Sequence, residues 1–260
     1  MKLEEYEQLH PHVQAEGLVF LTPNTHCAWR VDTLLTKEPD TIAWINGMAK
    51  DSVLFDVGAN MGQYSMVAAQ RGITVHAFEP DSQNFALMCR NLALNKLKGH
   101  ITPWPIALTD TIGLDTFYVT HVMPGGSCNS FGEQVDYHLQ PKKFKFQQGC
   151  FGTTIDIFSS QMKAYADHIK IDVDGLEHKI IAGAEFALTK AQSVLVELNT
   201  RLPEHVAIIE KMNQLGFWAD MVTAEKARRK DGAFKGVGNV IFFRDDADFL
   251  DVPADKWKKL

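Results

Sequence analysis

The sequence predicts an α/β fold, a mostly parallel sheet with helices on both faces. From residue 52 onward, short apolar runs alternate with segments of helical period, the pattern of repeated β-α-β units. The first run, Val53-Leu54-Phe55-Asp56-Val57, ends in an acid and a valine and enters a turn with two glycines, Gly58-Ala59-Asn60-Met61-Gly62. The second, Val75-His76-Ala77-Phe78, ends on Glu79. A glycine turn after one strand and an acid about twenty residues later is how such a sheet holds an adenosine-containing cofactor.

Residues 1–50 precede the first core strand and are expected as a helical cap on it. Within them, residues 38–48 carry Ile42 and Ile45 at helical spacing, with Pro39 at a helix-start position. Residues 53–57 form strand one, and residues 63–71 a helix whose first N–H groups point back at the turn. Strand two covers residues 73–78. In the helix over residues 81–95, Phe85, Met88, Cys89 and Leu92 share one face. Strand three lies near residues 101–108. Residues 120–149 are rich in Gly, Ser, Asn, Gln and His and lack a period. So long a loop in a compact domain is usually functional or mobile, and its place near the cofactor edge predicts a substrate lid. Strand four (168–173), a helix (176–188), strand five (193–198) and a helix (203–215) stopped by Gly216 follow. Residues 217–222 and 237–244, joined through Asp231-Gly232, read as an antiparallel pair. The expected organisation is a cap (1–50), a core domain (51–245) and a short tail (246–260).

A chain of 260 residues suffices for one sizeable core. Its net charge of -6 argues against nucleic acid as the main partner. Cys27, Cys89, Cys128 and Cys150 show neither a C-x-x-C pair nor zinc spacing, so reduced thiols in a cytoplasmic protein are expected. The acidic start, Met1-Lys2-Leu3-Glu4-Glu5, has no apolar signal region, and no stretch approaches the length of a membrane span. Stable membrane insertion is therefore not expected. A homodimer is one expected state of assembly, and the sequence does not fix the oligomeric state.

The glycine turn departs from the dinucleotide spacing G-x-G-x-x-G. Asn60 stands where a pyrophosphate wants close backbone approach. Gly58 and Gly62 permit a sharp turn, and the following helix start favours a carboxylate or phosphate. A cofactor with an amino-acid carboxylate in place of a pyrophosphate fits better, and S-adenosylmethionine has that shape. Glu79 offers two oxygens to the two ribose hydroxyls.

Four segments in order then carry a family resemblance: Asp56-Val57-Gly58-Ala59-Asn60-Met61-Gly62, Ala77-Phe78-Glu79-Pro80, Ile169-Lys170-Ile171-Asp172-Val173-Asp174-Gly175-Leu176-Glu177 and Leu195-Val196-Glu197-Leu198. Together they resemble the FkbM family of S-adenosylmethionine-dependent methyltransferases over roughly residues 20–220. The resemblance implies a class I methyltransferase (Rossmann-like) fold, with seven strands and an antiparallel last strand. It also implies O-methylation, often of sugars in glycans or of secondary metabolites. The acceptor is accordingly expected to be a small molecule or a glycan.

Methyl transfer to an alcohol needs in-line positioning and a group to take the proton. Asp172, at the end of strand four on the same sheet edge as Gly58, is the first candidate beside the reacting methyl. Asp174 and Glu177 follow closely; they join an acidic cluster there or decorate a helix start. Lys170 alternates onto the same side as Asp172. Glu197 ends strand five and is a second catalytic candidate; with Asn199 and Asp172 it also raises a Mg²⁺ or Ca²⁺ site, which is set aside because the spacing is not diagnostic. His121 and His138, in the lid, are candidate general bases. The cofactor set comprises Asp56, Gly58, Ala59, Asn60 and Gly62 in the turn, with Tyr64 and Ser65 reaching the methionine end. Glu79 and Pro80 serve the ribose, and Ala107 and Asp110 the adenine; Asp172 belongs to this set as well. Trp29 and Arg30 are candidates for the acceptor wall, and the basic run over residues 226–230 reads as a solvated hairpin tip or a contact for an anionic acceptor. The competing readings are a non-catalytic module that keeps the nucleoside pocket and a nicotinamide-dependent oxidoreductase, which the glycine spacing disfavours.

Overall fold

The computed structural model describes residues 11–97, 99–221, 224–225 and 228–244. The chain start, the tail over 246–260 and residues 226–227 of the basic run lie outside the described residues. A hairpin of β1 (His12–Ala15) and β2 (Leu18–Leu21) comes first. It turns through Glu16 and Gly17, both at positive φ. α1 (Thr25–Asp32) follows, capped by the Asn24 side chain accepting the Cys27 N–H. α2 (Pro39–Asn46) starts on its proline. The cap is thus only partly helical: the expected helix is present as α2, and a hairpin precedes it.

Residues of the expected β-α-β units form β3 (Val53–Val57), α3 (Gln63–Gln70), β4 (Thr74–Phe78), α4 (Ser82–Leu94) and β5 (Ile101–Trp104). Asp81 caps α4 by accepting the N–H groups of Gln83 and Asn84. The third strand is shorter than expected. Pro105, which has no N–H, follows β5, and the chain leaves the sheet there. β6 (Ala107–Leu108) joins β7 (Gly113–Val119), β8 (Ser130–Phe131) and β9 (Phe146–Thr153) in a second sheet of order β6-β9-β7-β8. The stretch expected as a loop therefore contributes β8 and the start of β9 to this sheet.

α5 (Ile155–Met162) leads to β10 (His168–Ile171). The helix expected over 176–188 is broken into α6 (Glu177–Ala182) and α7 (Glu185–Leu188). The break falls at Gly183, where a Cβ would lie 2.2 Å from the Thr109 carbonyl oxygen. β11 (Ser193–Asn199), α8 (Pro203–Gln214), β12 (Phe217–Ala219) and β13 (Val237–Arg244) complete the fold.

The central sheet has seven strands in the order β12-β13-β11-β10-β3-β4-β5. β13 runs antiparallel to both neighbours, while β11, β10, β3, β4 and β5 pair in parallel. Period-2 alternation sorts the side chains into two cores. Phe55, Val57, Ile169, Ile171 and Val196 pack under α5–α8. Leu54, Val75 and Leu195 pack under α1–α4. Asp56 and Lys170 are register partners of the same parity as Leu54, so a buried polar row runs under the α1–α4 side. No helix among the described residues is long and apolar enough to cross a membrane.

Candidate active site

Two cavities open at the carboxyl edge of the sheet and meet. The first lies over the ends of β3 and β4, with apolar walls that include Phe78, Ile106, Leu108, Phe117 and Phe131. Its floor is the turn after β3. Gly58 has φ +82, and a Cβ there would lie 1.9 Å from the Asp172 carbonyl oxygen. The crossing of the β3 and β10 ends thus demands the glycine. The Gly58 and Ala59 N–H groups both donate to Phe78 O at 3.0 Å, and Met61 N–H donates to Asn60 Oδ1 at 3.0 Å. The turn is fixed from within.

Glu79 closes this arrangement. Its Oε2 accepts the Asn60 N–H at 2.7 Å and its Oε1 the Asp81 N–H at 2.9 Å. Each oxygen retains capacity for a hydroxyl. Burial pushes the Glu79 carboxyl up to about 8, against the pull of those N–H groups. A buried carboxylate at the edge of a flat apolar slot fits the ribose of an adenosine cofactor.

A strap over residues 123–129 roofs the meeting point. Asn24 Nδ2 donates to Pro124 O at 2.9 Å, and Arg30 Nε to Gly125 O at 2.8 Å. Asn60 and Asn84 both donate to Gly126 O, at 2.8 and 3.0 Å, while Asn84 Oδ1 accepts the Gly125 N–H at 2.8 Å. The Cys128 N–H donates to Asp174 Oδ2 at 2.6 Å. Ser127 faces both cavities.

The second cavity is polar. Lys170 lies beneath it, 1% exposed, with Nζ 3.1 Å from Asp172 Oδ2, 3.6 Å from Asp56 Oδ1 and 5.3 Å from the Tyr64 ring centre. Burial works to raise the Asp172 carboxyl, but the combined pull of the Lys170 ammonium, Lys37 and Arg30 holds Asp172 below its ordinary value. Asp174 is pushed up by burial and by Asp172. Glu197 is pushed well above its ordinary value by burial, then by Asp172 and Asp174. Tyr64 donates to Glu38 Oε2 at 3.0 Å.

Gly58, Asn60, Glu79, Pro80, Ala107 and Asp172 line the first cavity. Gly58, Ala59, Asn60, Tyr64, Asp172 and Glu197 line the second. Other expected site residues stand elsewhere. Asp56 is buried under the turn, accepting from Ser65 Oγ at 2.6 Å, so both belong to the scaffold and line neither cavity. Gly62 faces Met88. Tyr64 serves the second cavity and not the first. His121 is exposed and lines neither cavity; it stands in a tight turn whose Met123 N–H donates to its carbonyl at 2.9 Å. His138 is held between Asn199 Nδ2 and Ala233 O, at 3.1 and 3.0 Å. Asp110 is exposed, and Thr109 takes its place on the wall.

Glu177 is buried, accepting the Val173 and Gly175 N–H groups at 3.1 and 3.2 Å. It fixes the turn that presents Asp174 and lines neither cavity. Among the described residues, no group of three or more His, Cys, Asp or Glu is set to hold a metal ion. Of the described residues of the basic run, Arg228 is buried, Arg229 lines the second cavity and Lys230 is exposed. Sequence reasoning missed Asn84, Ser127 and Glu38. Asn84 alone carried a signal, standing three residues after the Asp81 cap.

Residues 56–218 match the family described as "Methyltransferase FkbM domain". The chain is 28% identical over 158 residues to 31-O-demethyl-FK506 methyltransferase FkbM of Streptomyces tacrolimicus, covering 52% of this chain and 60% of that protein. It is 22% identical over 174 residues to hexuronic acid methyltransferase AglP of Haloferax volcanii, covering 66% of each. The chain thus spans less than two thirds of the length of these curated relatives. In fold it is similar to aTrm5 as seen in its complex with tRNALeu, at a TM-score of 0.50 and 10% identity over 91% of this chain and 53% of that one.

Proposed function

The chain belongs to the FkbM methyltransferase family, whose cofactor is S-adenosylmethionine, and on that premise we propose that it O-methylates a hydroxyl of a sugar or a related small acceptor. One observation carries the reading: Gly58, Asn60, Ser127, Asp172 and Asp174 line both cavities. A nucleoside held in the first and an alcohol held in the second would meet at that five-residue junction. The two relatives are named for 31-O-demethyl-FK506 and for hexuronic acid, which supports a hydroxylated acceptor.

When bound, S-adenosylmethionine supplies an electrophilic methyl on a sulfonium. Glu79 and the turn over Gly58 and Asn60 would hold it, and it would give that methyl to the acceptor oxygen, the electron pair of the carbon–sulfur bond staying on sulfur. The hydroxyl proton passes to a protein carboxylate. Asp172 suits that role because Lys170, with Lys37 and Arg30, keeps it ionised at the junction. Glu197 suits the complementary role: burial, Asp172 and Asp174 favour its protonated form, in which it would donate a hydrogen bond to the acceptor. The strap excludes water while Glu79 holds the ribose. Residues 120–149 act as the lid in this reading through their part of the strap.

Turnover of radiolabelled S-adenosylmethionine with glycan precursors tests the proposal. Asp172→Asn is expected to lower kcat by about 10²–10⁴, with cofactor Kd nearly unchanged. A loss of cofactor affinity alone would make Asp172 a binder and remove it from catalysis.

A further inference from the structure

We propose that the second cavity selects acceptors in which the methylated hydroxyl is joined to a fixed anionic group, a carboxylate or a phosphate, held by Arg30 and Arg229. This rests on the methyl-transfer reading and adds an acceptor class to it.

Four cations line the cavity: Arg30, Lys37, Lys170 and Arg229. Two are neutralised within the fold. Lys170 sits 3.1 Å from Asp172, and Lys37 2.7 Å from Glu38. The arginines are positioned differently. Arg30 Nε donates to the uncharged Gly125 carbonyl at 2.8 Å, which orients the guanidinium without cancelling its charge. Arg229 packs over the Phe234 ring at 4.9 Å, and its backbone is clamped by Val237 O at 3.0 Å and the Gly236 N–H at 2.8 Å. Its carboxylate partner, Glu197, stands 3.6 Å away, past hydrogen-bond length. Because burial also favours the protonated form of Glu197, this pair offsets the Arg229 charge only in part.

Asp172 and Asp174, which feel the Arg30 charge, also line the first cavity, which Arg30 and Arg229 do not. Both acids belong to the junction. An anion placed there would meet like charge, whereas a neutral hydroxyl meets a proton acceptor. The cavity is therefore polarised, with a hydroxyl directed to Asp172 and an anion to the arginines, whose planar forks suit carboxylate and phosphate. Trp29, 45% exposed and stacked on His26 at 5.6 Å, adds an aromatic wall to the same cavity.

The test uses the full chain with S-adenosylmethionine and three probes sharing one ring: methyl β-glucoside, methyl β-glucuronide and methyl β-glucoside 6-phosphate. At least one anionic probe is expected to exceed the neutral one in kcat/KM by roughly tenfold or more, mostly through KM. The product should be an alkali-stable ether. The two anionic arms distinguish carboxylate from phosphate. Arg30→Gln and Arg229→Gln should each shrink the anionic-to-neutral ratio severalfold, with Arg229→Lys restoring part of it. Equal kcat/KM across the probes, or an alkali-labile ester on the glucuronide, overturns the acceptor class and leaves methyl transfer standing. No product from any probe, with no heat of binding of the anionic probes to protein loaded with S-adenosylhomocysteine, also overturns it. Failure of S-adenosylhomocysteine itself to bind would instead sink the methyl-transfer reading.

Discussion

At Glu79, a carboxyl that burial holds near 8 must be ionised to accept two hydroxyls. Cofactor binding near neutral pH should therefore release a proton from this group. Affinity is expected to rise as pH climbs from about 6.5 to 8. Calorimetry in buffers of different ionisation enthalpy reads that proton directly, and buffer-independent heats would exclude it. Glu79→Ala should weaken binding by about 1.5–3 kcal/mol, with the circular dichroism spectrum retained. Lys170 makes a second prediction at this scale. It is the shared counter-charge of Asp56 and Asp172 beneath the site. Lys170→Met leaves both acids uncompensated and should cost about 3–5 kcal/mol of stability. Adding Asp56→Asn should recover part of that loss, and strict additivity in denaturant unfolding would refute the coupling.

Among the elements, the strap over 123–129 and the broken α6–α7 helix are the informative ones. Asn84 holds the strap at both Gly125 and Gly126. Asn84→Ala should speed amide exchange across 123–129 while the β3 and β10 amides stay protected; unchanged exchange would remove Asn84 as the anchor. Gly183→Ala forces a Cβ to within 2.2 Å of Thr109 O, so about 1–3 kcal/mol of destabilisation is expected on thermal melting.

Periodicity and end signals made β3, β4, α4, β10, β11 and α8 legible, because each is a local pattern bounded by a cap, a glycine or a proline. The second sheet was not legible. β6 and β8 have two residues each, too few to show alternation, and pairing with β7 and β9 defines them. The site divides along the same line. Glu79, Asp172 and Glu197 could be placed because strand ends and alternation position them. Asp56 and Ser65 turned inward to Lys170 and to each other, a pairing across elements that spacing does not encode. His121 had only its residue type to recommend it.

In the whole molecule, the charged groups oppose one another as pH changes. Burial lowers His26, His76, His168, His178 and His205, so their contribution to stability grows as pH rises to about 6.5 and is then complete. Glu79 and Glu177 are both raised to about 8 in the folded chain. Above their unfolded value of about 4.3, the folded chain keeps protons that the unfolded chain has released. Their effect is a loss of stability with rising pH that ends once both have ionised, near 8. The melting temperature of the free chain should therefore fall between about pH 6.5 and 8, and a steady rise there would contradict the two buried acids. Cofactor binding should flatten the Glu79 share of that fall.

All of these outcomes rest on the first cavity being a nucleoside site joined to an acceptor site. Titration calorimetry of the full chain with S-adenosylhomocysteine tests this most directly. Saturable one-to-one binding, abolished or strongly weakened by Glu79→Ala and largely unaffected by Asp172→Asn, is the expected result. No heat from either S-adenosylhomocysteine or S-adenosylmethionine at millimolar concentration, or binding that Glu79→Ala leaves intact, would contradict it.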